Sequence, residues 1–212
     1  MKILNLYACL GGNRYKWGDE HDITAVELDS VAAKLYKERF PNDTVVVGDA
    51  HQYLLDHYKE YDFIWSSPPC PSHSRINISQ KTRDVWKPRY PSMMLYEEII
   101  FLMHYFEGKY CVENVVPFYD PLIPAKKRGR HLYWTNFNLP NKLSNKEYGK
   151  NLSNMKIKEL SEYHDYDFNK YNGKQSRSKM ARNLVDYEAG KTILDTVMGI
   201  KQKENINQTE MF

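Results

Sequence analysis

Cysteine is scarce in this 212-residue chain: three residues, at positions 9, 70 and 111, with no CxxC pair among them. That excludes a disulfide-stapled scaffold and a cysteine-rich zinc module, and an odd, unspaced thiol reads as a reduced, intracellular protein. Histidine is also thin. The seven residues form no HxxxH or HxH pair, so no metal site is expected. No apolar run approaches the roughly 18 residues of a spanning helix, and MKILNLYACLGG is too short for a signal peptide. The expectation is a soluble, cytoplasmic chain with no membrane partner. Neither GxGxxG nor GxxxxGK[ST] occurs, which argues against a dinucleotide or a triphosphate ligand. Charge of one sign is lacking as well: 30 Lys and Arg against 27 Asp and Glu leave +3, which permits a nucleic-acid partner without arguing for one.

What remains is a chain with 42% hydrophobic and 14% aromatic residues, enough for one large domain with a buried core. A mean hydropathy of −0.70 requires that some segments be strongly polar. Apolar and β-branched runs read as strands at 3–7, 23–27, 44–47, 63–66 and 110–116. Helical periodicity marks 29–40, capped by Asp29 and closed before Pro41, and a longer helix over 92–106. Strands alternating with helices predict an α/β fold, a mostly parallel sheet with helices on both faces. Such sheets bind ligands beyond the carboxyl ends of their strands.

Four segments fall at such ends. The first strand runs into Gly11-Gly12, where backbone can approach a ligand and a helix start can offer free N–H groups. Glu27 ends the second strand, placed to take both hydroxyls of an adenosine ribose or, more plainly, to cap the following helix. Asp49 ends the third, where it could accept from an adenine amino group or from a backbone amide. The fourth is SSPPCPSHS, in which a rigid Pro68-Pro69 step fixes the position of Cys70. A glycine turn, an acid and Gly48-Asp49, in that order, suit a nucleoside cofactor, and S-adenosylmethionine fits better than a dinucleotide.

The series NLYACLGGN, AVELDSVAAKLYKERFPN, VVGDAHQ, FIWSSPPCPSHS, CVENVVPF and KKRGRHLYWTNF resembles the DNA (cytosine-5) methyltransferases, in that family's order. The likeness covers about residues 1–137 and resumes at ARNLVDYEAGKTIL, similar to the family's closing helix motif. It implies a Rossmann-like class I fold that uses S-adenosylmethionine. It also implies cofactor contacts from Tyr7, Ala8, Cys9, Gly11, Gly12, Glu27, Leu28, Asp49, Ala50 and Pro68. Cytosine C5 is a poor nucleophile. A thiolate that adds to C6 makes C5 enamine-like and able to attack a sulfonium methyl, and Cys70 is the cysteine placed for this. By resemblance Glu113 meets N3 and the exocyclic amine of the base, Arg130 in the RGRHLYW strand faces O2, and Arg128 is a second candidate for base or phosphate. Asn114 shapes the turn beneath Cys70.

The chain also departs from the family. Cys9 stands at a usual glycine, Asn5 at a usual aspartate and Lys126 at a usual glutamine. Pro71-Ser72-His73 follows the nucleophile in place of Gln-Pro-Phe, and Arg182-Asn183-Leu184 replaces Gly-Asn-Ser. The loop RINISQKTRDVWKPRYP carries five cations, and Ser74, Arg75, Lys81 and Arg83 are candidate nucleic-acid contacts.

These readings divide the chain into a catalytic and cofactor-binding core (1–137), a short Lys/Tyr-rich segment standing for a reduced target-recognition region (138–178), a closing helix (179–199) and a tail (200–212). The short middle segment leaves double-stranded DNA with a flipped cytosine as the first expected substrate, and RNA or a free cytosine nucleotide as alternatives. A catalytically silent DNA-binding relative is the other class. An amino-methyltransferase is disfavoured, since those enzymes place an aromatic residue after Pro-Pro. The terminal Gln208-Thr209-Glu210-Met211-Phe212 resembles a bacterial sliding-clamp binding peptide, with two apolar anchors on a polar tether.

Overall fold

The computed structural model describes residues 1–79, 87–146 and 152–200. Within them, strands β1 (Lys2–Leu6), β2 (Asp22–Glu27), β3 (Thr44–Val47), β4 (Phe63–Ser66), β5 (Lys109–Val115), β6 (Lys126–Arg128) and β7 (His131–Thr135) form one sheet in the order β3-β2-β1-β4-β5-β7-β6. β1 to β5 are mutually parallel, while β7 runs antiparallel to β5 and β6 antiparallel to β7. The helices are α1 (Ser30–Arg39), α2 (Ala50–His57), α3 (Ile76–Ser79), α4 (Met94–Tyr105), α5 (Ile157–His164), α6 (Arg177–Asn183) and α7 (Tyr187–Val197). The expected Rossmann-like α/β architecture is what the chain adopts.

Alternation along the strands sends side chains to two separate cores. Leu4, Leu6, Val26, Ile64 and Val112 pack with Leu54 of α2 and Leu95, Ile99 and Leu102 of α4. Ile3, Ile23, Phe63, Trp65 and Cys111 face the opposite layer, where Ala189, Ile193 and Leu194 of α7 cover them with Trp17. Strands buried on both faces read as near-continuous apolar runs, which is why FIWS carries no polar alternation.

β1 ends one residue earlier than its apolar run suggests, because Tyr7 and Cys9 turn into the left-handed region at φ 57° and 50°. Gly11 follows at φ 70°, completing a sharp loop before the 3-10 turn at Asn13–Lys16. The reading of one strand through Arg128-Gly129-Arg130-His131 is corrected. Gly129, at φ 57°, allows a two-residue hairpin between β6 and β7, so Arg130 stands on the turn and not within a strand.

The polar segment after residue 138 folds onto the core over its described part. Leu160, Phe168 and Tyr171 are buried with Met180 and Ala181 of α6 and with Leu184 just after it, and this cluster rests on Ala32 and Leu35 of α1 and on Leu10. The tyrosine hydroxyl of Tyr171 donates to Asp29, the residue that caps α1.

Candidate active site

A cleft of about 1220 Å³ opens along the carboxyl ends of β1 to β5. Its lining brings together Tyr7, Ala8, Cys9, Gly12, Glu27, Leu28, Asp49, Ala50, Pro68, Cys70, Glu113 and Arg130, from segments separated by more than a hundred positions in the chain. Gly11 stands behind that lining, with the rings of Phe40 and Tyr36 against the position its side chain would occupy. Gly12 admits no side chain either. A Cβ there would meet the Val185 carbonyl at 2.3 Å, so the α6–α7 junction is pressed directly onto the glycine loop.

At the β2 end of the cleft, the Glu27 carboxylate is fixed by two backbone donors, Cys9 N–H on Oε2 and Asp29 N–H on Oε1, each at 2.8 Å. Burial pushes its pKa up and these bonds oppose that shift. Each oxygen keeps a lone pair, so the held carboxylate can still accept two hydroxyls. Leu28 beside it is 72% exposed, an apolar lip on an open site. Asp49 uses Oδ1 to cap α2 through Gln52 N–H at 3.0 Å.

Beneath Tyr7 lies a carboxylate that sequence reasoning passed over. Glu98, wholly buried on α4, accepts from the Tyr7 hydroxyl, from Ser66 Oγ at 2.6 Å and from His51 Nδ1 at 3.1 Å. The bond to Glu98 pushes the His51 pKa up, and burial followed by the Glu98 charge does the same for Tyr7. The signal was available: Glu98 shares the helical face of Leu95, Ile99 and Leu102, where a solvent-facing charge has no place.

At the other end, Cys70 is half-buried after the Pro-Pro step. Asn114 Nδ2 donates to the Pro68 carbonyl at 2.9 Å and so ties the nucleophile turn to β5. The Cys70 carbonyl accepts from His73 N–H and Ser74 N–H at 3.0 and 3.1 Å, closing a tight turn around the thiol. His73, which departs from the family pattern, is buried and bonded through Nδ1 to the Tyr119 hydroxyl. Burial and then the nearby Glu113 carboxylate push the Cys70 pKa up to about 11, while Lys179 of α6 pulls it down. Cys70 is therefore a thiol at neutral pH. Cys9 and Cys111 are raised as well, in both cases chiefly by burial.

Because the Glu113 carboxylate opposes thiolate formation, Glu113→Gln is expected to speed iodoacetamide alkylation of Cys70 at pH 8 by roughly threefold or more. Peptide mass spectrometry over a pH series would read this. The gain should shrink as the pH approaches 11, where the parent thiol ionises too. An unchanged rate at pH 8 would mean that the carboxylate does not bear on the sulfur.

Four of the expected site residues do not line the cleft. Arg128 is turned away, its guanidinium donating to the carbonyls of Lys127, Leu139 and Pro140. Motif matching could not have shown this, since two of those carbonyls, of Leu139 and Pro140, belong to a later loop. Besides Gly11, Ser74 pairs with Pro117 in an isolated bridge, and Arg75 donates to the Pro117 carbonyl at 3.2 Å. Lys81, Arg83 and the peptide Gln208–Phe212 lie outside the described residues. Among the described residues no group of His, Cys, Asp and Glu could hold a metal ion, and no helix is long and apolar enough to cross a membrane.

A family model for C-5 cytosine-specific DNA methylases matches residues 1–119. The tRNA (cytosine(38)-C(5))-methyltransferase of Mus musculus is 25% identical over 124 residues, covering 56% of this chain and 29% of the mouse protein. The enzyme of the same name from Spodoptera frugiperda is 32% identical over 80 residues, covering 35% of this chain and 24% of the insect protein. The chain thus spans under a third of the curated relatives it matches. Among solved structures, the Entamoeba histolytica methyltransferase EhMeth aligns over 95% of this chain and 99% of its own, at 10% identity and a TM-score of 0.51, a likeness of fold.

Proposed function

This chain belongs to the family of C-5 cytosine-specific DNA methylases, and we propose that it methylates C5 of a cytosine in nucleic acid through a covalent adduct at Cys70. The observation that carries this reading is the convergence of Cys70, Glu113 and Arg130 on the cleft that also holds Glu27 and the glycine loop.

S-adenosylmethionine supplies an electrophilic methyl group on a sulfonium sulfur. The cleft suits it: Glu27 is held rigid with acceptor capacity to spare for the ribose, Leu28 offers an apolar surface for the adenine, and Gly12 keeps the loop backbone bare. The remaining work falls to the chain's own groups. The Cys70 sulfur bonds to C6 of the flipped base, and the displaced electron pair moves toward C5 and the N3–O2 side of the ring. Glu113 hydrogen-bonds or protonates N3 as charge develops there, and Arg130 meets O2. After methylation at C5, loss of the C5 proton to a base expels the thiolate.

The raised pKa of Cys70 gives this sequence a built-in condition. The Cys70 thiol proton passes to Glu113, which shares it with N3; this removes the negative charge that opposes the thiolate, and Lys179 continues to favour it. Attack is thereby coupled to correct placement of a cytosine. The segment 138–178 contributes the reduced recognition surface, since Asn172, Gly173, Lys174 and Gln175 reach the cleft wall.

Double-stranded DNA is the proposed substrate, in line with the family. RNA is the second reading, favoured by the names of the curated relatives, each a tRNA methyltransferase. The deciding experiment offers labelled S-adenosylmethionine with mixed-sequence duplex DNA, total tRNA and dCMP in parallel. Label in DNA alone supports the first reading and label in tRNA alone the second. Cofactor binding without transfer to any of the three would replace both with a catalytically silent relative.

A further inference from the structure

β7 pairs with β5 so that Val115 faces His131 and Glu113 faces Tyr133. His131 is therefore the diagonal neighbour of Glu113 on the same face of the sheet, within reach of a long side chain. The contact is made: His131 Nε2 stands 3.4 Å from Glu113 Oε1, with the two side chains 27% and 8% exposed. Both line the cleft that holds Cys70.

We propose that His131 is a positioning residue that fixes the plane of the Glu113 carboxyl for the incoming cytosine, an inference that rests on the role given to Glu113 above. The chemistry demands a fixed plane. One carboxyl oxygen must accept from the 4-amino group of the base while the other shares a proton with N3, and the two tasks are not interchangeable. The last torsion of a glutamate is broad and would by itself leave the oxygens free to exchange places. An imidazole on Oε1 from the flanking strand removes that freedom. At 3.4 Å it does so without a short bond that would use up the acceptor capacity of the oxygen. The β6–β7 hairpin thus delivers two consecutive residues to the base site: Arg130 from its turn and His131 from the first position of β7.

The test compares His131→Leu and His131→Gln in the parent protein and in a Glu113→Gln background. Single-turnover methyl transfer is read with duplex DNA and with total tRNA, so that slow rates remain measurable. His131→Leu is expected to lower the transfer rate about tenfold, with S-adenosylmethionine affinity by calorimetry within about twofold of the parent. His131→Gln, which keeps a donor, should recover most of the rate. In the Glu113→Gln background, His131→Leu should change the rate by less than about twofold, because its partner is gone. A parent-like rate for His131→Leu, an equal loss in both backgrounds, or no recovery with glutamine overturns the inference while leaving the Cys70 mechanism intact. A Glu113→Gln variant as active as the parent, or a parent that labels neither substrate, overturns the reading of the site and this inference with it.

Discussion

Cys70→Ser abolishes methyl transfer, with a loss of roughly a thousandfold or more, while S-adenosylmethionine still binds within about twofold of the parent affinity. The size of the effect follows from the chemistry at C6. A serine hydroxyl ionises far less readily than a thiol and forms a weaker nucleophile, and the site opposes even the thiol. Burial and Glu113 hold it at about 11. The substitution is nearly isosteric, and the turn that presents residue 70 is built from backbone bonds to His73 and Ser74, which survive the change. Thermal melting should therefore move little. Radiolabel transfer to nucleic acid and calorimetry with the cofactor read the two halves separately. Transfer that survives in Cys70→Ser would refute the covalent mechanism; loss of cofactor binding as well would indicate a damaged fold and call for Cys70→Ala.

The second large effect concerns stability. Arg14 follows the glycine loop and is 2% exposed, and its Nε and Nη2 both reach the Asp43 carboxylate at 2.9 Å, a partner that is itself 2% exposed. Tyr36 donates to the same carboxylate at 2.8 Å. The bonds to Asp43 raise the arginine pKa in spite of a burial that alone would lower it. Arg14→Ala leaves a buried carboxylate without its counter-ion and is expected to cost about 3–5 kcal/mol. For a chain of this size that lowers the Tm by roughly 8–15 °C. Urea denaturation with a constant m-value would measure it. Arg14→Met with Asp43→Leu should regain much of the loss, since the pair can be replaced by apolar groups more safely than it can be halved. A Tm within about 2 °C of the parent for Arg14→Ala would mean that water reaches Asp43.

How much of this was legible beforehand depended on where each residue's partners lie. Thr44–Val47 and Phe63–Ser66 are short runs with strong β character between clear stops, and their bounds are readable to the residue. Asp29 announces α1 because its capping partners, Val31 and Ala32, are local. α2 is faint, since only Ala50 and Leu54 of its eight residues are buried and Asp49 at its start resembles a ligand contact as much as a cap. α5 and α6 are masked by their own surfaces. Lys158, Glu162, Arg177 and Lys179 are exposed, while Leu160 and Met180 pack inward with Phe168 from the turn between the two helices. Within the site, Glu27 ends β2, Glu113 lies two residues before the end of β5 and Cys70 four past β4, so all three can be found by counting along the strands. Arg128 is lost to three carbonyls, two of them eleven and twelve positions ahead, and the match of a short motif carries no information about them. His131 and Lys179 enter the site through tertiary pairing alone.

The contact between the glycine loop and the far end of the fold has a consequence for how the molecule is made. Gly12 lies against the Val185 carbonyl, Gly190 has no room for a side chain because the Asn13 backbone is there, and Trp17 Nε1 donates to the Gly190 carbonyl at 3.0 Å. During synthesis the loop emerges well before the wall it packs on, which follows more than 170 residues later. A nascent chain arrested near residue 140 carries the glycine loop, Glu27, Cys70 and Glu113, yet its loop is bare on the side that α7 covers. The glycine loop is closed only when residues 185–190 dock against it, so these two parts of the fold ripen together.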